Sequence, residues 1–433
     1  MVNPAHLDVR EAAHAVASGE MSAEELARAC LDRISAREDE VRAFEYLDPG
    51  YALDQARNLG NGPRLGPLHG VPIGIKDTYD TADMTTAYGS PIYEGNRPHA
   101  DASAVALCRA AGAVIVGKTV TTEFAYWSPG KTRNPRNLDH TPGGSSSGSA
   151  AAVADNMLPL AFGSQTAASV IRPAAFCGVF GYKATRGGID SRGLLPLAPT
   201  LDSPGFFTRA LGDISLVRSV LVGDDPDPAP RPDDSPPRVG LVRTVHWDEA
   251  DPVSRDLVED SAHRLAGAGA PVSEPVMPDG FQHLAEIQNT IMAFEIARGF
   301  AWEYANHRDK LSDTFREIVE TGLSTPYDDY VSAITTADRC RAGLAAVMED
   351  YDVLIAPSAV GEAPAETGST GNPLFSRMWT LMYLPSVHLP TGSGPNGLPV
   401  GIQAMGRCHR DSQLVIDAQW MWDRLVSSGT RAA

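Results

Sequence analysis

The sequence predicts an α/β fold, a sheet covered by helices, on three observations. The chain has 433 residues, 43% of them hydrophobic, and no long polar tract, so it can bury a large core. Between about 66 and 117 the apolar run of GPLHGVPIGIKDTYD is followed by AVALCRAAGAVIVGKT, where helix spacing runs into the strand AVIVG, the alternation of βα units. Strand signals return near the C-terminus, in DVLIAPS (352–358) and in SVHLPTGSGPNGLPVGIQAMG, two apolar runs around a Gly/Pro/Asn turn that read as a hairpin.

The elements follow in order. Ser22 with Glu25 forms a capping box, and Leu26, Cys30 and Ile34 recur at i+4, so an amphipathic helix is expected over roughly 22 to 38. From 141 to 185 small residues are so dense that backbones must approach one another or a ligand closely. GDDPDPAPRPDDSPPR (223–238) is acidic and proline-rich, which excludes a helix or strand interior and predicts a surface loop or hinge. Beyond it VGLVRT reads as a strand, 252–270 and 281–350 read mainly as helices that cover a binding site, and a last helix starts at about 411. No repeat of 20 to 50 residues is present.

The formal net charge of -18 repels phosphate backbones and anionic lipid surfaces, so neither nucleic acid nor membrane is an expected partner. Five scattered cysteines (Cys30, Cys108, Cys177, Cys340, Cys408) with no C-x-x-C pair fit reduced thiols rather than a zinc site or redox couple. The N-terminal MVNPAHLDVREAAHAVASGE lacks a basic start and an apolar stretch, so a cytoplasmic location is expected.

The Gly/Ser run at 143–149 carries four readings. A flexible linker does not run straight into a helix such as AAAVA. A phosphate-binding loop needs a G-K-[ST] that is absent. Gly144-Ser145-Ser146-Ser147-Gly148 spells the G-x-S-x-G nucleophile elbow around Ser146, but the polar NPRNLDHTP precedes it where an elbow needs a buried strand. Ser128-Pro-Gly-Lys131 spells S-x-x-K, with Pro and Gly breaking the helical turn it requires.

The fourth reading takes three segments together. GVPIGIKD around Lys76, TPGGSSSGSAAAVA around Ser145 and GSQTAASVIRPAAFCGVFGYK around Ser169 resemble, in order and spacing, the signature region of the amidase-signature family. The resemblance runs from about 65 to 210 and resumes at GLPVGIQAMGR. It implies a single domain over 1–433 with a central mixed β-sheet flanked by α-helices: a core at about 65–210, a helical elaboration at about 239–350 and a return to the core at about 351–433. It also implies the catalytic residues. Ser169 becomes the nucleophile, Ser145, 24 residues earlier, the bridging serine after a cis peptide, and Lys76 the base. A lysine serves as base only if desolvation keeps it neutral, and a serine hydroxyl can relay the proton because it both donates and accepts. The backbone N–H groups of Thr166, Ala167, Ala168 and Ser169 would face the oxyanion, worth roughly 3 kcal/mol per donor. No metal or cofactor is required.

The sequence departs from the family at one point. The commoner D-[ST]-G-G-S-[IV]-R is here Gln165-Thr166-Ala167-Ala168-Ser169-Val170-Ile171-Arg172, which sets two methyl groups beside the oxyanion loop and moves the arginine one residue on. This variant is similar to the malonamidase-like branch, which implies that Ser164 hydrogen-bonds near the nucleophile and that Arg172 holds a substrate carboxylate in its planar fork. The competing reading of Arg172 is a buried ion pair with an Asp or Glu. Gln165, Tyr126 with Trp127, and Trp379 with Met382 are further pocket positions by resemblance, and core packing explains the aromatic ones equally well. His140 and His388 are given no catalytic task.

The expected reaction is hydrolysis of a small, carboxylate-bearing amide or ureide through an acyl-enzyme on Ser169. A homodimer is left open. One alternative is a glutaminase-like amidotransferase subunit that passes ammonia to a partner, or an enzyme that transfers the acyl group to an amine. A second is a non-catalytic scaffold in which Ala167 and Ala168 close the oxyanion site.

Overall fold

The computed structural model describes residues 3–233, 235–365 and 368–426. Helices α1 (Val9–Ser18) and α2 (Ala23–Val41) each start from a capping box, Asp8 with Glu11 and Ser22 with Glu25. The second of these is the helix expected from 22, and it continues to Val41 rather than stopping at 38. Then come β1 (Phe44–Leu47), α3 (Pro49–Gly60), β2 (Pro72–Lys76), α4 (Ser103–Ala110), β3 (Val114–Thr119), α5 (Ser147–Ala154), β4 (Leu160–Gln165), α6 (Ile171–Cys177), β5 (Phe180–Lys183), β6 (Ser203–Thr208) and α7 (Asp213–Val222). The second half adds β7 (Val239–Leu241), α8 (Pro252–Gly267), β8 (Val272–Ser273), α9 (Leu284–Gly299), α10 (Ala301–Asn306), α11 (Asp313–Ser324) and α12 (Tyr327–Val347). It closes with β9 (Val353–Pro357), α13 (Leu374–Leu381), β10 (Ser386–Ser393), β11 (Pro399–Met405) and α14 (Asp411–Val426).

Among the described residues the strands join one mixed sheet of 11, in the order β1-β3-β2-β4-β6-β5-β10-β11-β9-β7-β8. Neighbours β3/β2, β2/β4, β9/β7 and β7/β8 are parallel and the remaining pairs antiparallel. The C-terminal hairpin is present as β10/β11, with Ser386 opposite Met405.

Alternation along the strands sets the layers. In β3, Ile115 belongs to the core layer completed by α1, α4, α7, α8 and α14 along one face of the sheet, while Val114 and Val116 belong to the layer with α2, α3 and α5 on the other. In β9, Val353 and Ile355 join the first of these layers, and Leu354 and Ala356 meet a further helical layer made of α9, α11, α12 and α13.

The stretch 239–350 therefore divides. Only α9 to α12 form the expected helical cover; β7, β8 and α8 belong to the sheet edge, because Val258, Ala262 and Leu265 of α8 complete the main core. The described part of the 223–238 connector has neither helix nor strand, as its prolines require. It is pinned rather than hinge-like: Arg231 bridges Asp417 at 2.6 Å and Asp352 at 3.0 Å. No helix among the described residues is long and apolar enough to cross a membrane.

Candidate active site

Lys76 ends β2, whose residues are all buried, and the parallel pairing of β2 with β4 brings it beside Ser164. Its Nζ lies 2.7 Å from Ser145 Oγ and 3.0 Å from Ser164 Oγ, with no carboxylate in ion-pair range among the described residues. Burial therefore dominates and lowers its pKa from 10.5 to about 7, opposed only weakly by the charge of Asp202. A second buried lysine, Lys118 on β3, shows the contrast. Its Nζ sits 3.1 Å from Asp77 and donates to the Tyr79 carbonyl, which makes it an internal ion pair rather than a base.

Ser145 precedes α5, and all of α5 is buried. The density of small residues here has the expected cause. A Cβ on Gly148 would lie 2.2 Å from the Ala43 carbonyl oxygen and 2.4 Å from Val120 N, and Gly143 turns at φ 79° where a Cβ would meet Pro173 at 2.9 Å. The Gly144–Ser145 peptide is cis. Ser146, the centre of the discarded elbow, is fully buried and bonded to the backbone of Ser164 at 3.3 Å, so it is structural.

Ser169 lies just ahead of α6, 7% exposed, and opens onto a cavity of about 280 Å³. The loop before it is held from behind at three consecutive carbonyls. Thr166 O accepts from Gln288 Nε2 at 2.9 Å, Ala167 O from Thr380 Oγ1 at 2.8 Å, and Ala168 O from Arg172 N at 3.0 Å. The N–H groups of Ala167, Ala168 and Ser169 donate to nothing among the described residues, as an oxyanion site requires. The Ala-Ala pair is less obstructive than its sequence suggested. Only the half-buried Ala167 lines the cavity, while Ala168 is 1% exposed and packed inward.

Gln165 does not face the cavity. Its Oε1 accepts from Val170 N at 2.9 Å and Ile171 N at 3.0 Å, and its Nε2 donates to Thr380 Oγ1 at 2.9 Å. An aspartate could accept the same two amides but could not donate to the threonine, so the Gln replacement and Thr380 form a matched pair. The expectation that Gln165 binds substrate is corrected to loop support.

Arg172 lines the cavity but fits neither sequence reading as stated. Its Nη2 donates to Gly144 O at 2.7 Å and Thr370 Oγ1 at 3.0 Å, its Nη1 to Gly371 O, and no Asp or Glu pairs with it among the described residues. The fork is therefore occupied by backbone, and Arg172 clamps the Ser145 loop. Its Nε has no hydrogen-bond partner among the described residues, and burial with nearby Arg377 lowers its pKa to about 9. Trp127 lines the cavity mouth at 37% exposure. Trp379 does not: it is fully buried, its ring 5.7 Å from that of Phe281, so packing wins there, as it does for Met382.

Several cavity residues escaped the sequence. Arg377 of α13 donates through Nε to Gln288 Oε1 at 2.6 Å and through Nη2 to Asn289, leaving Nη1 with no partner among the described residues. Asn289 and Met292 of α9, Leu197 and Asn372 also line the wall. Asp202, accepting from Thr166 Oγ1 and from Ala198 N at 3.0 Å, lies behind the loop, with its carboxyl raised to about 7 by burial. The only charged residue of the LFSRMWTL helix, Arg377, was the one visible signal. A larger cavity of about 680 Å³ lies between the connector and α14, lined by Arg10, Arg231 and Trp420, and it shares no lining residue with the cavity at Ser169.

One large mixed sheet, a desolvated lysine bonded to a serine, and a loop of free N–H groups before a second serine define an α/β enzyme that acts on amides. The chain belongs to the amidase family, whose model matches residues 25–415. It is 35% identical to a glutamyl-tRNA(Gln) amidotransferase subunit of Acidothermus cellulolyticus, over 93% of this chain and 91% of that one. Among solved structures it is similar to the native peptide amidase of Stenotrophomonas maltophilia, with a TM-score of 0.82 and 28% identity over 97% and 96% of the two chains. It is also similar to 6-aminohexanoate cyclic dimer hydrolase, with a TM-score of 0.86 and 25% identity over 100% and 98%.

Proposed function

We propose that the protein hydrolyses small amides or ureides that carry a carboxylate, through an acyl-enzyme on Ser169. The observation that carries this reading is the cavity wall, which presents Arg172 and Arg377 and, among the described residues, no Asp or Glu. Two guanidiniums without a counter-ion favour an anionic ligand, and Arg377 Nη1 is the donor left free to meet it. A volume of about 280 Å³ suits a small molecule.

In the proposed cycle neutral Lys76 draws a proton from Ser169 through Ser145, and Ser169 Oγ attacks the amide carbon. The developing oxyanion is received by the N–H groups of Ala167, Ala168 and Ser169. The proton returns by the same relay to the leaving nitrogen, which departs as ammonia or an amine, and water, deprotonated by the same base, then releases the acid.

The similarity to amidotransferase subunits favours a second reading, in which the amide is glutamine and its ammonia is handed to a partner. The two readings share the first half-reaction. They differ at the substrate's α-ammonium, for which a wall with two cations offers no carboxylate counter-ion among the described residues. Ammonia release should therefore be measured on monoamides of short dicarboxylic acids and on glutamine, with and without candidate partner proteins. The monoamides should be turned over at least about tenfold faster by the chain alone, about 1.4 kcal/mol in the barrier. Glutamine turnover that appears only with a partner would replace the first reading by the second.

A further inference from the structure

Gln288 lies within α9, fully buried, and its carboxamide joins two parts of the cavity wall. Nε2 donates to the Thr166 carbonyl at 2.9 Å while Oε1 accepts from Arg377 Nε at 2.6 Å. The Thr166 carbonyl and the Ala167 N–H are the two ends of one peptide group. A hydrogen bond to the carbonyl polarises that group and makes its N–H a stronger donor with a fixed direction. The guanidinium acts likewise on the carboxamide, because a charged donor on Oε1 strengthens the Nε2–H on the far side. Polarisation thus runs from Arg377 through Gln288 and the Thr166–Ala167 peptide to an N–H that faces the reacting carbonyl.

We infer that Gln288 is a positioning residue that couples Arg377, the receiver of the substrate's anionic end, to the oxyanion loop. This rests on the acyl-transfer reading of Ser169. Arg377 spends two of its donors on Gln288 and Asn289 and has Nη1 free, so a bound anion supplies its last anchor and holds the whole chain of bonds in register. The substrate's charge then contributes to kcat as well as to KM. Without this coupling, a remote anion would lower only KM.

Two variants separate coupling from packing. Gln288→Met keeps the volume and removes both bonds. Gln288→Glu keeps an acceptor for Arg377 and sets a carboxylate oxygen against the Thr166 carbonyl. The measurements are the rate at which a small neutral fluorophosphonate labels Ser169, kcat and KM on an acid-bearing monoamide, and Tm as a control. Both variants should label about tenfold more slowly and lose about tenfold in kcat, since weakening one oxyanion donor costs less than the hundredfold or more of removing it. Arg377→Met should also lower kcat, and the double variant Arg377→Met with Gln288→Met should be no slower than the worse single one, because both break the same chain. Wild-type labelling rates and kcat in either folded variant, or losses that multiply in the double variant, would overturn the inference alone. A folded wild-type chain that Ser169 probes never label would overturn the acyl-transfer reading and this inference with it.

Discussion

Replacing Lys76 by methionine should abolish turnover and at the same time make the protein more heat-stable at acidic pH. In the folded chain the ammonium pKa falls from 10.5 to about 7, so between those values the unfolded chain binds a proton that the folded chain does not. Raising the pH through this window favours the folded form, and the penalty is complete below about pH 7. It amounts to about 5 kcal/mol at pH 6 and about 2 kcal/mol at pH 9. Methionine removes the whole penalty but leaves the Ser145 and Ser164 hydroxyls without their partner, at roughly 1 kcal/mol each. The net gain is about 3 kcal/mol at pH 6 and near zero at pH 9. For a chain of 433 residues, about 1 °C of Tm accompanies each kcal/mol, so Lys76→Met should melt about 3 °C above wild type at pH 6 and level with it at pH 9. Scanning calorimetry at the two pH values is the assay. A variant no more stable than wild type at pH 6, or an offset that does not change with pH, would refute the claim that burial holds this lysine neutral.

Outcomes for five further variants are expected. Asp202, with its own carboxyl raised to about 7, is ionised only above that pH and there favours the charged form of Lys76, so Asp202→Asn should move the limb of the pH–rate profile near pH 7 to lower pH; a profile that stays in place would separate the two groups. Gln165→Glu asks the Thr380 hydroxyl to donate to residue 165 instead of the Ala167 carbonyl, and kcat should fall about tenfold with Tm nearly unchanged. Arg377→Met should raise KM for acid-bearing amides roughly 30-fold with KM for neutral amides little changed, and should lower kcat on both because the bond to Gln288 is lost, whereas Arg172→Met should chiefly lower Tm because it strips donors from Gly144 and Gly371. Gly322→Ala puts a methyl 1.9 Å from the Ala293 carbonyl oxygen where α11 crosses α9, and a loss of more than about 2 kcal/mol should appear in thermal melts.

How much of this was legible in the sequence depended on range. The capping box at Ser22, the strand ending in Lys76 and the Gly/Ser run around Ser145 are local patterns; the resemblance they carried named Lys76 and Ser145 together, and the structure sets these two 2.7 Å apart while burying Ser146 against the backbone of Ser164. The residues that shape the pocket come from far along the chain. Gln165 meets Thr380, Thr166 meets Gln288, and Arg172 meets Gly371, each across more than a hundred residues. No periodicity reports such pairings, which is why Arg377 and Gln288 were missed and why Arg172 was assigned a carboxylate that its occupied fork cannot grip. Trp379 was ambiguous for a related reason. An aromatic residue in an apolar helix reads alike whether it lines a pocket or fills a core, and here it fills the core.

The central claim is that Ser169 is a nucleophile served by a neutral buried lysine. Its most direct test is to label the folded protein with a fluorophosphonate across pH 6 to 9 and to map the adduct by peptide mass. A single adduct on Ser169, formed at a rate that rises through about pH 7 and is lost in Lys76→Met, is the result expected. An adduct on Ser146, a rate indifferent to pH, or no adduct on the folded chain would contradict it.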